Sequence, residues 1–164
     1  MINFLLRILI FCIFFVNTSY SEIIKDIKII GNQRITKETI IVIGQINFGN
    51  DYSDEQLNSL TRRLYNSKFF KDISVSVSNN VLEINLIENP IIENIDIDGI
   101  KKDSLKEALL EKLTLRNRKA FTENSLQNDI NLIKNILKSN GYYFVKVSSS
   151  IIKDDKLNTI KLNI

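Results

Sequence analysis

The residues best suited to chemistry are carboxylates, and they are poorly placed for it. Asp96 and Asp98 stand two apart in an alternating run, which puts both on one face of a strand. Such a pair could hold a cation. Calcium takes about 6–8 oxygen ligands, however, and no further oxygen donors are grouped nearby, so a solvated face is the better reading. Asp154-Asp155 falls where a hairpin must turn and reads as turn chemistry. Arg116, Arg118 and Lys119 form a basic loop that could meet anionic head groups or an acidic partner. Plain solubility is the simpler reading there, and for Arg62 and Arg63 as well. The chain has no His and a single Cys, Cys12, inside an N-terminal apolar run. Downstream of that run, Cys and His nucleophiles, His bases, zinc sites and disulfides are excluded. There is no Gly-rich phosphate loop and no Gly-x-Ser-x-Gly. No cofactor and no metal are expected, and an enzyme reading has no residue set behind it. The formal charge is only +3, from 22 basic and 19 acidic residues, which gives no strongly basic face for nucleic acid.

The N-terminus reads as an address. Ile8 to Val16 is continuously apolar after a weakly basic start, and polar Asn17 to Ser21 comes next. Ser19 and Ser21 are small residues placed for cleavage after Ser21, the pattern of a secretory signal over residues 1–21. The apolar run is shorter than the roughly 20 residues that a spanning helix needs. Phe11, just before Cys12, argues against lipidation there. An exported chain without Cys beyond the leader suits a bacterial periplasm.

Beyond the leader the chain repeats one pattern. Ile24 to Gly31 (IKDIKIIG) recurs as Ile92 to Gly99 (IENIDIDG), each an alternating strand pattern closed by Gly. Tyr52 to Leu57 recurs as Phe121 to Leu126, and each opens a helix. Ser53 and Thr122 are the expected N-caps, and Gln56 completes a capping box with Ser53. The apolar stripes Leu57, Leu60, Leu64 and Leu126, Ile130, Ile133, Leu137 keep helical spacing. Shorter helices are predicted at about Lys37–Ile43 and Leu105–Leu113, with Ser104 and Glu107 as a further capping box. Second strands are expected over Lys71–Asn79 and Tyr142–Ile152. Third strands carry Leu82, Ile84, Leu86 and Ile160, Leu162, Ile164. Asn79-Asn80 signals a tight turn between the second and third strands of copy one.

Each copy therefore reads β-α-α-β-β in roughly 70 residues, too long a period for a stacked solenoid. The fold class is α+β: two tandem domains, each a three-stranded mixed sheet covered on one face by two helices. The boundaries are residues 22–89 and 90–164, joined at Glu88-Asn89-Pro90, where Pro90 stiffens the residue before it. Ile27, Ile29, Leu57, Leu64, Ile95, Ile97, Leu126 and Ile133 are expected core. The other face of each sheet, and at least one edge, should stay open.

The wording of these elements resembles the polypeptide-transport-associated (POTRA) family. The matching stretches are Ile27 to Ile35 (IKIIGNQRI), Leu64 to Ile73 (LYNSKFFKDI), Glu88 to Ile95 (ENPIIENI) and Gly141-Tyr142. The resemblance is to the first two such domains of outer-membrane protein assembly factors. Those proteins continue into further domains and a membrane barrel, so the chain is expected to be a fragment whose barrel is absent. The resemblance implies a periplasmic module at the outer membrane, signal-targeted, that receives unfolded β-barrel clients and docks accessory lipoproteins. An open sheet edge can accept an extended peptide as an added strand through main-chain hydrogen bonds. The family's usual edge is the second strand. The candidate residues are therefore Phe70, Lys71, Ile73, Ser74, Ser76 and Ser78, and Tyr142, Tyr143, Val145 and Val147. Phe70 and Tyr143 would be apolar anchors; the plainer reading places these aromatics in the core. Two other POTRA settings stay open: a two-partner secretion transporter, and a free periplasmic chaperone or adaptor. An RNA-binding KH reading needs Gly-x-x-Gly between the helices, and Gly44 and Gly49 are too far apart for it.

Overall fold

A computed structural model describes residues 23–49 and 52–164. The leader, Cys12 and the Ser21 cleavage site lie outside the described residues.

Alternation of apolar and polar residues builds the first sheet. Strand β1 (Asp26–Ile30) leads into helices α1 (Lys37–Gly44) and α2 (Asp54–Asn66), then strands β2 (Phe70–Ser78) and β3 (Val81–Glu88). The strand order is β1-β3-β2, with β1 parallel and β2 antiparallel to β3. Asn79 and Asn80 turn the β2–β3 hairpin with φ of 52° and 63°, left-handed backbone that Asn tolerates better than most residues. The same order returns as β4 (Ile91–Asp96), α3 (Asp103–Lys112), α4 (Glu123–Ser139), β5 (Ser150–Asp154) and β6 (Thr159–Asn163). The second sheet runs β4-β6-β5, again with one parallel and one antiparallel pair.

Both long helices begin as their sequences direct. Ser53 accepts from the Gln56 amide at 3.4 Å while Gln56 accepts from the Ser53 amide at 2.8 Å. Thr122 accepts from the Ser125 amide at 3.2 Å. The capping box expected at Ser104 does not form. Helix α3 starts earlier than predicted, with Lys102 at the cap position and no side-chain cap bond. That places Ser104 inside the first turn, and Asp103 meets the helix dipole instead.

The helices cover one face of each sheet. Ile27, Ile40, Leu60, Leu64, Leu82 and Ile84 are fully buried in the first core, each contributing roughly 1.5–3 kcal/mol. Ile92, Leu109, Leu113, Ile133 and Ile160 do the same in the second. Arg63 is not a free surface charge: its Nε donates to the Gly44 carbonyl at 2.9 Å, tying the end of α1 to α2. The opposite face of the first sheet exposes Ser74, Ser76, Ser78 and Asn85, with Lys28 paired to Glu83 at 3.0 Å and Ile30 and Ile87 beside them. No helix among the described residues is long and apolar enough to cross a membrane.

The second strand of copy two is much shorter than its sequence pattern suggests. Strand β6 is only five residues long, and its pairing with β5 runs from Ser150 opposite Asn163 to Asp154 opposite Thr159. Upstream of Ser150 no pairing with β6 is formed. Tyr142, Tyr143, Val145 and Val147 therefore lie outside any strand. Gly141 (φ 91°) turns the chain out of α4, and the Tyr142 amide donates to the Leu137 carbonyl at 3.0 Å.

Candidate functional site

Which sheet edges are open depends on what covers the outer strands. In the second sheet the loop after α3 closes over β4. Arg118 N–H donates to the Ile92 carbonyl at 2.7 Å, Ile92 N–H to the Lys119 carbonyl at 2.9 Å, and Phe121 N–H to the Pro90 carbonyl at 2.8 Å. Asn117 Oδ1 takes the Ile95 amide at 3.0 Å. The basic loop thus has a structural task in its backbone while its charged side chains stay exposed. The outer strand at the other end of that sheet is β5, and in the first sheet β1 and β2 are the outer strands.

Strand β2 is the longest of these, with nine residues. Ser74, Ser76 and Ser78 face solvent and Lys71 is exposed, while Ile73 is buried and Val75 and Val77 are half-buried. Phe70 does not sit outward as an anchor: it is 2% exposed. A bulge between Phe70 and Asp72 adds one residue to the strand, so Phe70 and Ile73 share the buried face despite odd spacing. Phe69 remains half in solvent, packed edge-on against Phe70 with ring centroids 6.3 Å apart. In copy two, Tyr142, Tyr143 and Phe144 are exposed, Phe144 completely, whereas Val145 and Val147 pack half-buried against the core beneath the helices.

The two aspartates that could have shared a cation go to separate partners. Asp96 pairs with Lys106 at 2.7 Å, and that hydrogen bond holds its carboxyl below the ordinary value while raising Lys106. Asp98 accepts from Asn163 Nδ2 at 2.5 Å. Among the described residues no group of three or more Cys, His, Asp or Glu side chains is placed to hold a metal.

Two buried carboxylates matter more, and neither is among the residues expected as a site. Glu88 ends β3 and is 4% exposed. Its Oε1 accepts the amides of Gln33, Arg34 and Ile35 at 2.7, 2.9 and 2.9 Å, and its Oε2 takes Arg34 Nε at 3.2 Å. Burial on its own would raise the Glu88 carboxyl. The three amides and the guanidinium outweigh burial and hold it below the usual glutamate value. The turn after β1 and the linker after β3, far apart in sequence, are therefore one hydrogen-bonded unit. The legible signal was register, since Glu88 continues the inward series Leu82, Ile84, Leu86. Asp129 plays a similar part in the second domain, accepting the Thr114 and Leu115 amides at 2.9 and 2.8 Å beneath the α3–α4 loop.

Known proteins that share this geometry agree with one another. Residues 90–164 match the family model POTRA, surface antigen variable number repeat. The N-terminal domain of Omp85 from the thermophilic cyanobacterium Thermosynechococcus elongatus superposes with a TM-score of 0.55 over 86% of this chain and 61% of that one, at 15% identity. The POTRA match covers the second domain, and the first domain repeats its order of elements. A second match is to POTRA1-2 of the periplasmic domain of Omp85 from Anabaena, at a TM-score of 0.53 and 13% identity, covering 87% of this chain and 93% of that one. At such identities the structures share the fold alone. By sequence, the outer membrane protein assembly factor BamA of Neorickettsia risticii (strain Illinois) is 24% identical over 78 residues. That match spans 48% of this chain and only 11% of the BamA length. Both domains of this chain place their third strand, β3 or β6, at the centre of the sheet.

Proposed function

We propose that this POTRA pair is a binding module, not an enzyme, acting in outer-membrane protein biogenesis at the periplasmic face of a bacterial outer membrane. On this reading residues 1–21 are a cleaved signal, and 22–89 and 90–164 are the two domains. The clients are unfolded β-barrel proteins, received as added strands. Accessory lipoproteins of an assembly complex dock alongside, and a C-terminal barrel supplies the membrane attachment. The relative named as a BamA assembly factor supports the setting.

The observation that carries the reading is the β2 edge. It is nine residues long, lies at the end of the sheet and presents serines to solvent. Main-chain pairing along such an edge tolerates many client sequences, because side chains contribute little to it. Strand β5 offers a shorter second edge of five residues. The burial of Phe70 moves the apolar contact to Phe69, which is 37% exposed beside the start of the edge.

The test is an NMR titration of the protein with an extended peptide taken from a barrel strand, beside the same peptide N-methylated at alternate amides. Shifts confined to residues 70–78, and lost on N-methylation, are expected. Shifts that avoid β2, or equal binding of the methylated peptide, sink the proposal.

A further inference from the structure

The two POTRA domains are joined by two residues, Asn89 and Pro90, between the end of β3 and the start of β4. Direct apolar packing does not fill the junction. A cleft of about 600 Å³ opens there, lined by Tyr65, Lys68 and Lys71 from the first domain and Phe121, Glu123 and Asn128 from the second. The relative orientation must then rest on polar contacts, and one side chain supplies them in three directions. Arg34 Nε donates to Glu88 Oε2 at 3.2 Å, Nη2 to the Asn89 carbonyl at 2.7 Å, and Nη1 to the Asn158 carbonyl at 3.0 Å. The first two acceptors belong to the end of domain one and the linker. The third belongs to the β5–β6 turn of domain two. That turn answers in kind: Asn158 Nδ2 donates to the Glu88 carbonyl at 3.4 Å, and the Asn158 carbonyl also takes the Ile91 amide at 3.1 Å. Asn158 holds a left-handed φ of 47°, open to Asn and Gly but costly to most residues.

We propose that Arg34, seated by Glu88 and closing on Asn158, is a latch that sets the angle between the two domains. The planar guanidinium fork fits the role because it meets three acceptors at fixed angles, whereas a lysine ammonium is a single point charge. The backbone amide of Arg34 bonds Glu88 independently of its side chain. The turn can therefore survive a substitution that opens the latch.

The experiment measures residual dipolar couplings of the whole protein and of its R34A, R34K and N158G variants. In the parent, couplings from both domains fit one alignment tensor. In R34A and R34K the two domains require separate tensors, while each domain keeps its own pattern of amide shifts. The population of unlatched orientations rises about tenfold or more, since one hydrogen bond to a charged group is worth roughly that factor. N158G keeps the carbonyl that Arg34 reaches and loses only the amide side chain, so it opens the angle less than R34A. A single shared tensor in R34A overturns the proposal. Should R34A unfold the first domain, R34K decides the matter, because it keeps a cation beside Glu88 while giving up the fork. Parent-like couplings in R34K overturn the latch equally.

Discussion

Replacing Glu88 gives a prediction whose size and pH dependence both come from geometry. In E88A, three backbone amides and a guanidinium lose their acceptor. Gln33 and Arg34 are exposed enough to regain water, while Ile35 packs against the first core and regains less. A donor left unpaired costs about 1–3 kcal/mol when buried and little when rehydrated, so the sum is about 3 kcal/mol. E88Q keeps one oxygen for the three amides but loses the charge and sets an NH2 donor against Arg34 Nε, for about 1.5 kcal/mol. For a domain of this size those values lower the melting temperature by roughly 12–24 °C and 6–12 °C. The pH profile separates charge from shape. The folded carboxyl lies below its ordinary value, so its stabilisation is complete above the unfolded glutamate range. It fades as pH falls through that range toward the folded value. The gap between parent and E88Q must therefore be widest near neutrality and close in acid. Thermal scans by circular dichroism, with hydrogen exchange at first-domain core amides to identify the transition, read this directly. A gap that stays constant from neutral to acid pH would refute the charge argument. An E88A protein as stable as the parent would refute the whole account of the turn.

Two further substitutions probe the repeat. At Gly31 (φ 93°) an added Cβ would meet the Leu86 carbonyl oxygen far inside contact distance, whereas at Gly99 (φ 80°) it meets nothing within 4 Å. G31A should cost more than about 3 kcal/mol and G99A only the left-handed strain of roughly 1–2 kcal/mol, as compared by urea midpoints. D129A strands the Thr114 and Leu115 amides, so it should cost about 2–3 kcal/mol and speed exchange at those two amides at least about tenfold, with D129N intermediate.

Much of the fold was legible because period and burial coincide. Ile27, Leu82 and Ile84 alternate with polar residues, and Leu60 and Leu64 repeat at helical spacing; all five are buried. The errors arose where pairing, not pattern, decides the outcome. Tyr142 to Val147 carries the residues of a strand, yet a strand needs a paired neighbour, and pairing with β6 begins at Ser150. Phe70, offered as an anchor, lies in the core as its plainer reading had it, on the same face as Ile73 because of a bulge that no propensity announces. The Ser104 capping box failed because the helix starts two residues earlier, with Lys102 at the cap. Of the candidate site, the placement of β2 at a sheet edge could be anticipated. The shared role of Arg34 and Glu88 could not, because it joins residues 54 apart in sequence through side-chain geometry.

The same separation governs the order in which the chain can fold. The turn after β1 finds its acceptor 55 residues later, at Glu88, and among the described residues β1 pairs with β3 alone. A chain made from its N-terminus must therefore present β1, α1, α2 and β2 before the strand that organises them exists. The helices can flicker on their own, but the first sheet cannot close until its last strand has emerged. Closing so long a loop carries an entropic cost and slows folding. A module proposed to hold other proteins' strands thus spends its own synthesis with a strand waiting for a partner.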